Sequence, residues 1–316
     1  MMINTVTGSI DSAALGPTLV HEHVAATDWS LRANFGNRFF DPARVADQAV
    51  ALFSLVKQTC GVTTVVDGTP INLGRDVRLI REVAERTGLT FIVSSGLYWQ
   101  EEPWLVGQGV DDIVRWLLDD CVNGVGDTGI RPGALKAAVG SAGLTPTVRK
   151  MVTAVARVAV AAGLPVFCHH TVSNRDGADI LDIFEQAGLP LNRVILGHSG
   201  DSDDLTYLTA MLARGCYLGM DRFGYCDMGR SLGERVATIA ALCGQGYGRQ
   251  LMLAHDLVAE WVAASAEAAA TAPPVDFTFL HTTVFPALRD SGVVQTEIDA
   301  MITDNPRRFF EGEAVA

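Results

Sequence analysis

The chain has 316 residues, of which 48% are hydrophobic and 19% charged, and its formal net charge is −12. This composition favours a globular chain with a large core and argues against wholesale disorder. The negative charge would repel phosphate backbones and anionic lipid, so we expect neither nucleic acid nor a membrane surface as a partner. A small neutral or cationic molecule fits the charge better.

No stretch supplies the roughly 20 apolar residues that a membrane-spanning helix needs, because Arg157, Pro165 and His169 interrupt the most apolar region. Residues 1–17 carry neither the basic nor the apolar segment of a secretion signal, and we interpret them as a short lead-in. Six cysteines are scattered without a CxxC pair, which favours free thiols in a reducing compartment. We therefore expect a cytoplasmic protein.

Short runs of β-branched and apolar residues recur along the chain and predict strands. In chain order these runs are 18–23, 63–68, 91–96, 133–139, 165–170, 193–199, 216–222 and 250–256. Stretches of helical periodicity separate most of them, which indicates parallel strands with crossover helices. Eight such units without a linker predict one closed (β/α)8 TIM barrel over residues 1–316. An open doubly wound sheet would need a glycine-rich phosphate loop after the first strand, and "HEHVAATDWS" is not one.

Helix boundaries can be read from the residues around the predicted strands. Asp41 before Pro42 and Thr145 before Pro146 predict helix starts, and each following apolar run ends at a glycine. Residues 201–215 begin with acidic side chains and end with Arg-Gly, as the helix dipole favours. The alanine-rich residues 259–274 follow the last strand, and we expect a helix, a mobile lid or both.

Polar residues gather where the predicted strands end, which is where barrel enzymes carry their chemistry. They are His21, His23, Asp67, His170, His198, Asp221, Arg222 and Asp256, with Lys136 inside the fourth strand. A single histidine or aspartate at a strand end is usually a hydrogen-bonded structural group. Four imidazoles and a carboxylate converging on one end would be costly to bury unpaired, whereas divalent cations would satisfy all of them. We therefore predict a metal site.

Three positions in this set leave alternatives open. Adjacent strand residues face opposite ways, so only one of His169 and His170, and only one of His255 and Asp256, can face the barrel mouth. A lysine inside a closed barrel is disfavoured as a bare ammonium. Deprotonated, Lys136 can add carbon dioxide and become a carbamate whose two oxygens each hold one metal ion. The alternative is a salt bridge between Lys136 and a carboxylate such as that of Asp256.

Six motifs occur in a specific order: "HEH", "ALKAAVG", "HHTVSNRDG", "GHSGDSDDLTYLTAMLARG", "GMDRFG" and "AHD". This set resembles the phosphotriesterase family of the amidohydrolase superfamily, and most of all its phosphotriesterase-like lactonases. The resemblance extends over nearly the whole chain, to the closing "DNPRRFFEG". It implies a metal-dependent hydrolase built on a (β/α)8 barrel and acting on a small lactone or ester. Family members are commonly dimers, so we expect a homodimer.

The resemblance also implies which residues bind the metal ions. The six ligands would be His21, His23, Lys136, His170, His198 and Asp256. The "HEH" pair and Asp256 would hold the more buried ion. His170 and His198 would hold the more exposed one, since the "HT" pattern selects His170 over His169. Carboxylated Lys136 and a hydroxide would bridge the two ions. Mixed nitrogen and oxygen ligands suit zinc, cobalt, manganese or iron, with zinc as our first choice.

The chemistry expected of such a centre is hydrolysis. Two cations that share a water lower its pKa towards neutrality, so that a bridging hydroxide can attack the substrate. Asp256 would accept the proton and pass it towards the leaving oxygen. Asp201 in "GHSGD" matches a family aspartate near that proton route and could pair with Arg222. The alternative for this pair is a surface salt bridge.

The electrophile is predicted from two residues that resemble the lactonase pattern. Tyr98 in "GLYWQEEP" stands where lactonases carry a tyrosine that contacts the substrate carbonyl, and Arg222 in "MDRFG" matches them as well. We therefore predict a quorum-quenching lactonase for N-acyl-homoserine or other lactones, with promiscuous organophosphate triester hydrolysis. "HTVSNRDG" looks as much like the dedicated phosphotriesterases, so a phosphotriesterase or arylesterase is the alternative. A single-metal deaminase and a non-catalytic metal-containing binding protein are more distant possibilities.

Overall fold

Strands and helices alternate along most of the chain in the computed structural model, which describes residues 1–226, 229–262 and 276–314. The strands are β1 (Met2–Thr5), β2 (Gly8–Asp11), β3 (Thr18–Thr27), β4 (Thr64–Asp67), β5 (Thr90–Gly96), β6 (Ala134–Val139), β7 (Val166–His170), β8 (Val194–Gly197), β9 (Tyr217–Met220), β10 (Leu251–Leu253) and β11 (Val258–Val262). The helices are α1 (Trp29–Phe35), α2 (Pro42–Cys60), α3 (Val77–Thr87), α4 (Pro103–Val106), α5 (Val110–Asn123), α6 (Pro146–Ala162), α7 (Gly177–Gln186), α8 (Leu205–Leu212), α9 (Leu232–Gly244), α10 (Phe285–Asp290), α11 (Gln295–Ile302) and α12 (Asp304–Glu311). A π-helical turn over Leu280–Val284 leads into α10.

The large sheet is parallel and follows chain order. Its strands lie in the sequence β10, β9, β8, β7, β6, β5, β4, β3, β11, so each strand from β3 to β10 pairs with the next one along the chain. Crossover helices on the outside connect them, as parallel pairing requires. These strands coincide with the eight predicted runs, and the TIM-barrel prediction is confirmed. β3 is longer than predicted, because it continues to Thr27.

The last barrel strand is split, and its two pieces close the sheet. β10 pairs with β9, whereas β11 pairs with β3 on the other edge. Between the pieces, the amide of Asp256 donates to the carbonyl of His21 (3.1 Å) and the amide of His23 donates to the carbonyl of Leu257 (2.8 Å). Residues 259–262 thus belong to a strand, which corrects the prediction of a helix or lid there. The remainder of that predicted segment, residues 263–274, lies outside the described residues.

Apolar side chains fill the barrel at the end opposite the predicted site. Ile3 and Leu15, from the lead-in, cluster with interior residues such as Ile92 and Phe167. Backbone hydrogen bonds fix the lead-in there, since the amide of Val6 donates to the carbonyl of Phe91 (3.0 Å) near the start of β5. A larger apolar cluster lies between the sheet and the outer helices. Buried ionisable side chains such as those of Asp67, His170 and Asp221 lie instead at or just beyond the carboxyl ends of the strands.

The helices that connect the strands begin at the predicted caps. The Asp41 side chain accepts from the amides of Ala43 and Arg44 at the start of α2. The Thr145 side chain accepts from the amide of Val148 at the start of α6. In the described part of the chain, no helix is long and apolar enough to cross a membrane.

Glu22, between the two histidines of β3, holds the split strand in place. Its carboxylate is fully buried and accepts from the amide of His255 (2.9 Å), from His255 Nδ1 (2.6 Å) and from the amide of Leu257 (3.0 Å). Nε2 of His255 accepts in turn from the amide of Leu280 (3.2 Å). Glu22 is therefore the link that fixes the segment between β10 and β11, which also contains Asp256.

Replacing Glu22 should destabilise the barrel. In Glu22→Ala, two backbone amides and the His255 ring would be buried without an acceptor, and we expect the free energy of unfolding to fall by about 3 kcal/mol. Urea denaturation followed by far-UV circular dichroism measures this change. The matched control is Glu85→Ala on α3, whose side chain is 63% exposed and which should change stability by less than about 0.5 kcal/mol. Equal unfolding midpoints for the two variants would contradict the role of Glu22.

Candidate metal centre

Polar side chains meet at the carboxyl end of the barrel, among them those of His21, His23, Lys136, His169, His198 and Asp256. One ligand atom from each of His21, His198 and Asp256 lies within 4.8 Å of the other two. Nε2 of His21 lies 3.3 Å and Nε2 of His23 lies 3.4 Å from Oδ1 of Asp256. The fold thus brings five of the six predicted ligands to one small volume, and places His169 beside them.

The rings of His21 and His23 are oriented by hydrogen bonds at their Nδ1 atoms. Nδ1 of His21 lies 3.0 Å from Oδ2 of Asp221, and Nδ1 of His23 lies 2.8 Å from Oγ1 of Thr69. A ring that donates from Nδ1 carries its lone pair on Nε2, the form that binds metal ions. Burial, together with the charge of Lys136, lowers the pKa of His21 to about 3. His21 is therefore a neutral imidazole at physiological pH.

Asp221 connects two of the histidines, a role that sequence reasoning missed. Its carboxylate has no exposed surface, and its Oδ1 accepts from the amide of His198 (2.7 Å) and lies 3.1 Å from Nδ1 of that ring. Burial alone would raise the pKa of Asp221, but His198 and His21 bring it well below its usual value. The carboxylate is thus ionised and fixes both rings. The one sequence signal for this role was its place at a strand end beside Arg222.

Lys136 lies fully buried within the cluster. Its Nζ is 2.7 Å from Nε2 of His21 and 4.2 Å from the centroid of the Phe167 ring. Burial lowers the pKa of Lys136 to about 8, against the opposing influence of Asp256 and Asp221. No side chain fits at position 68, because a Cβ on Gly68 would lie 2.7 Å from the His21 ring and 3.3 Å from Nζ of Lys136. The described residues contain no salt bridge between Lys136 and Asp256, the alternative that the sequence left open.

The structure turns His169, and not His170, towards the cluster. Nδ1 of His169 lies 2.6 Å from Nε2 of His198, and the two ring centroids are 4.2 Å apart. His170 is on the opposite face of β7, where its Nδ1 donates to the carbonyl of Gly197 (2.6 Å). The prediction of His170 as a ligand beside His198 therefore disagrees with the structure.

The physical reason is the alternation of side chains along β7. Phe167 belongs to the cluster inside the barrel, together with Val20 and Ile195, and residues two apart on a strand share a face. Position 169 therefore faces inwards and position 170 faces outwards. The "HT" pattern pointed to the wrong member of the pair because it does not specify which face is inside.

Asp256 lies in the split of the last strand, with its backbone in the left-handed region (φ 59°). Residues other than glycine rarely adopt this conformation, and those that do are often at functional sites. Burial alone would raise the pKa of Asp256, but His21 and His198 lower it well below the usual value. Its carboxylate is therefore ionised and available as a ligand.

Arg222 and Asp201 form the predicted pair next to Asp256. Nη1 of Arg222 lies 2.7 Å from Oδ2 of Asp201, and Nε of Arg222 lies 3.4 Å from Oδ2 of Asp256. The two side chains are 32% and 24% exposed, so the pair is half-buried rather than a surface salt bridge. Burial would lower the pKa of Arg222, but Asp256 and Asp201 raise it above the usual value.

A cavity of about 270 Å³ opens beside this cluster. Its walls are formed by His23, Leu73, Tyr98, Arg222, Tyr225, Asp256, Val258 and Trp261. Tyr98 also lies with its ring centroid 5.4 Å from that of His169. Burial raises the pKa of Tyr98 well above its usual value, so its hydroxyl stays protonated. Three of the predicted catalytic residues thus share one cavity, and Asp201 lies behind Arg222.

The donor set fits divalent cations. Imidazole nitrogens and carboxylate oxygens are the ligands that zinc and its first-row neighbours accept, and each oriented ring here has a second hydrogen bond of the kind that metal-binding histidines make. Among the described residues, those placed to hold metal are therefore His21, His23, His169, His198 and Asp256, with Lys136 in contact with His21.

Two single variants, each with one of the adjacent histidines of β7 replaced by alanine, should differ in metal binding. His169→Ala should weaken the binding of the second ion by at least roughly tenfold, because a ligand is lost beside His198. His170→Ala should retain both ions, because this ring faces away from the cluster. Elemental analysis after dialysis against a graded chelator measures both variants. Since Nε2 of His170 is buried without a hydrogen-bond partner among the described residues, the opposite ranking would restore the ligand role predicted from sequence.

Similarity to known proteins extends over almost the whole chain. The model of the Phosphotriesterase family matches residues 1–310. A "Phosphotriesterase homology protein" of Mycobacterium tuberculosis is 36% identical over 319 residues, which cover 98% of this chain and 97% of that protein. An "Aryldialkylphosphatase" of Saccharolobus solfataricus is 28% identical over 307 residues, 96% of this chain and 97% of that one.

Solved structures agree with the sequence comparison. The "Structure of the phosphotriesterase from Mycobacterium tuberculosis" superposes with a TM-score of 0.91 at 36% identity, covering 98% of each chain. The fold and the length of the match agree with the family model. The buried histidine and aspartate cluster fits a metal-dependent hydrolase. The chain therefore belongs to the phosphotriesterase family of metal-dependent hydrolases.

Proposed function

We propose that this protein is a binuclear metal-dependent lactonase that opens N-acyl-homoserine or other lactones and hydrolyses organophosphate triesters more weakly. The observation that carries the proposal is the cavity in which Tyr98 and Arg222 stand beside Asp256. A protonated phenol and a guanidinium next to a candidate metal centre suit a polar carbonyl substrate. The surrounding Leu73, Val258 and Trp261 suit an apolar substituent on it.

Two groups of ligands are proposed within the cluster. His21, His23 and Asp256 would hold one ion, and His198 with His169 would hold the other. Lys136 lies within reach of His21 and, as a carbamate, would supply an oxygen to each ion. Zinc is the proposed metal, with cobalt, manganese or iron as alternatives that the same ligands accept.

The bound cations would activate a water as nucleophile and polarise the substrate carbonyl. The other steps fall to the chain's own residues. Asp256, ionised and within 3.4 Å of Arg222 Nε, is placed to accept a proton and release it towards the leaving oxygen. Tyr98, with its hydroxyl protonated, can donate to the substrate carbonyl. The apolar walls exclude bulk water and so strengthen these polar contacts.

A phosphotriesterase or arylesterase is the second candidate function. The relative from Saccharolobus solfataricus is named as an aryldialkylphosphatase, and this favours phosphate triesters. A tetrahedral phosphorus centre and the tetrahedral intermediate of lactone opening present similar shape and charge to the same ligands. The choice between them therefore rests on the cavity walls, where Tyr98 and Arg222 favour the lactone.

A cytoplasmic location is also proposed. Cys60, Cys121, Cys168, Cys216 and Cys243 are free thiols, and Cys168 and Cys216 are buried. Free thiols persist in a reducing compartment, whereas secreted proteins usually pair them. The net charge of −12 supports a small-molecule substrate over nucleic acid or anionic membrane.

The substrate proposal predicts the order of catalytic efficiencies. With zinc-loaded protein, kcat/KM for an N-acyl-homoserine lactone should exceed that for an aryl dialkyl phosphate, followed with a pH indicator and by release of the aryl alcohol. Tyr98→Phe should lower lactone opening more than triester hydrolysis, because only the lactone uses the phenol. A kcat/KM for the triester that is orders of magnitude higher would reject the lactonase assignment and favour the second candidate.

Removing the buried lysine should abolish both metal binding and turnover. In Lys136→Ala we expect loss of bound metal and a fall in kcat of at least roughly a hundredfold, because the group between the two ligand sets is gone. Added short-chain carboxylic acids should restore part of both by occupying the space of the carbamate. Lys57→Ala is the matched control, since among the described residues Lys57 Nζ donates to the carbonyls of Thr87 and Gly88 and to no group of the site. Unchanged metal content in Lys136→Ala would refute the bridging role.

A further inference from the structure

A positively charged side chain occupies a core position of α9. The helix buries Val236, Ile239 and Leu242, and Arg235 lies among them with only 2% of its surface exposed. Helical periodicity predicts an apolar residue on this buried face. A buried guanidinium is costly unless an opposite charge and hydrogen bonds compensate it. Its presence therefore requires a physical reason.

The partner of Arg235 is Asp201. Nη1 of Arg235 lies 2.8 Å from Oδ1 of Asp201, an ion pair whose angles are not those of a hydrogen bond, and Nε of Arg235 donates to the carbonyl of Arg230 (3.3 Å). Asp201 is the carboxylate that accepts from Arg222 through its other oxygen. Arg235 thus holds Asp201 from the side opposite the substrate cavity.

Four groups of alternating charge therefore lie in a row: Arg235, Asp201, Arg222 and Asp256. The separations are 2.8 Å between the first two, 2.7 Å between the second and third, and 3.4 Å between the third and fourth. The row begins in the core behind α9 and ends at a candidate metal ligand. Arg222 donates to both Asp201 and Asp256 from a rigid planar group, and Arg235 places its charge against the other oxygen of Asp201.

Stability alone does not account for this arrangement. Well-packed apolar residues of similar volume often replace a buried ion pair without loss of stability, or with a gain. A methionine at 235 and an asparagine at 201 would leave the fold intact by this reasoning. The feature that such a replacement would remove is the orientation of Arg222 towards Asp256 and the cavity.

We infer that Arg235 is a positioning residue: its buried charge holds the Asp201 carboxylate in place, so that Arg222 is presented to Asp256 and to the substrate. The contacts of Arg235, Asp201 and Arg222 support the positioning of Arg222. The expected effect of Arg235 on turnover rests on the proposed hydrolytic function. Within the part of the chain that the structure describes, Arg235 itself contacts neither the walls of the cavity nor a candidate metal ligand.

The test compares Arg235→Met with the wild-type holoenzyme and with Arg230→Met as the matched control. Arg230 lies next to α9 and pairs with Asp203 and Glu234 (3.0 and 3.6 Å), away from Arg222. One readout is independent of activity: hydrogen exchange of the Arg222 Nε–H in arginine-labelled protein, assigned by its disappearance in Arg222→Met. The other readouts are metal content, kcat and KM.

In Arg235→Met we expect faster exchange of the Arg222 Nε–H and a kcat lowered roughly tenfold with metal content unchanged. Arg235→Lys should recover part of both, since it keeps the charge but not the planar fork. Arg235→Met in the Asp201→Asn background should add no further loss, as expected for residues that act through one another. This double variant removes both charges, so it also supplies a folded protein if the single variant is unstable.

Wild-type exchange and wild-type kcat in Arg235→Met would overturn the inference, as would additive effects in the double variant. Equal loss in Arg230→Met would overturn it too, because the effect would then be general to α9. If the wild-type protein turned over neither lactone nor triester, the proposed function would fail. The exchange of the Arg222 Nε–H would still decide whether Arg235 positions it.

Discussion

The candidate site depends on one buried carboxylate, that of Asp221, which fixes two imidazoles at once. Its two oxygens meet Nδ1 of His21 and Nδ1 of His198 at 3.0 and 3.1 Å, in a place with no exposed surface. Because the rings use Nδ1 for these contacts, their Nε2 atoms are left to face the centre of the barrel mouth. Free rotation of either ring would leave buried lone pairs unsatisfied and would disperse the ligand set. The metal chemistry proposed for the site requires this fixed orientation.

The segment that closes the barrel also places a residue in the site. The split of the last strand lets β10 pair with β9 and β11 pair with β3, and Asp256 lies in the gap with its amide bonded to the carbonyl of His21. Glu22 holds this gap from the outer face of β3. The "HEH" motif therefore has two functions on two faces of one strand: the histidines face the site, and the glutamate fixes the segment that brings in the aspartate.

The carboxylates of Asp221 and Asp256 both have partners in the site. Asp221 faces two rings, and Asp256 faces His21, His23 and Arg222. The row that ends in Arg235 extends this pairing into the core behind α9. Because Arg222 lies between the carboxylates of Asp201 and Asp256, its guanidinium is stabilised at the cavity wall, where it can contact a substrate. Selection between a lactone and a triester is then a matter of the cavity walls, because both would meet the same ligands.

Much of this protein could be predicted from its sequence. Eight runs of β-branched residues, the caps at Asp41 and Thr145 and the spacing of His21 and His23 follow local rules that involve only neighbouring residues, so the barrel and the gathering of polar side chains at its carboxyl end were predictable. Only the tertiary structure decided between His169 and His170, because the inward face of β7 is set by its register with β6 and by the packing of Phe167. The same holds for the split of the last strand, and for Asp221 and Arg235, whose partners lie on other elements. Contacts between distant segments carry no local sequence pattern, and the fold alone brings them together.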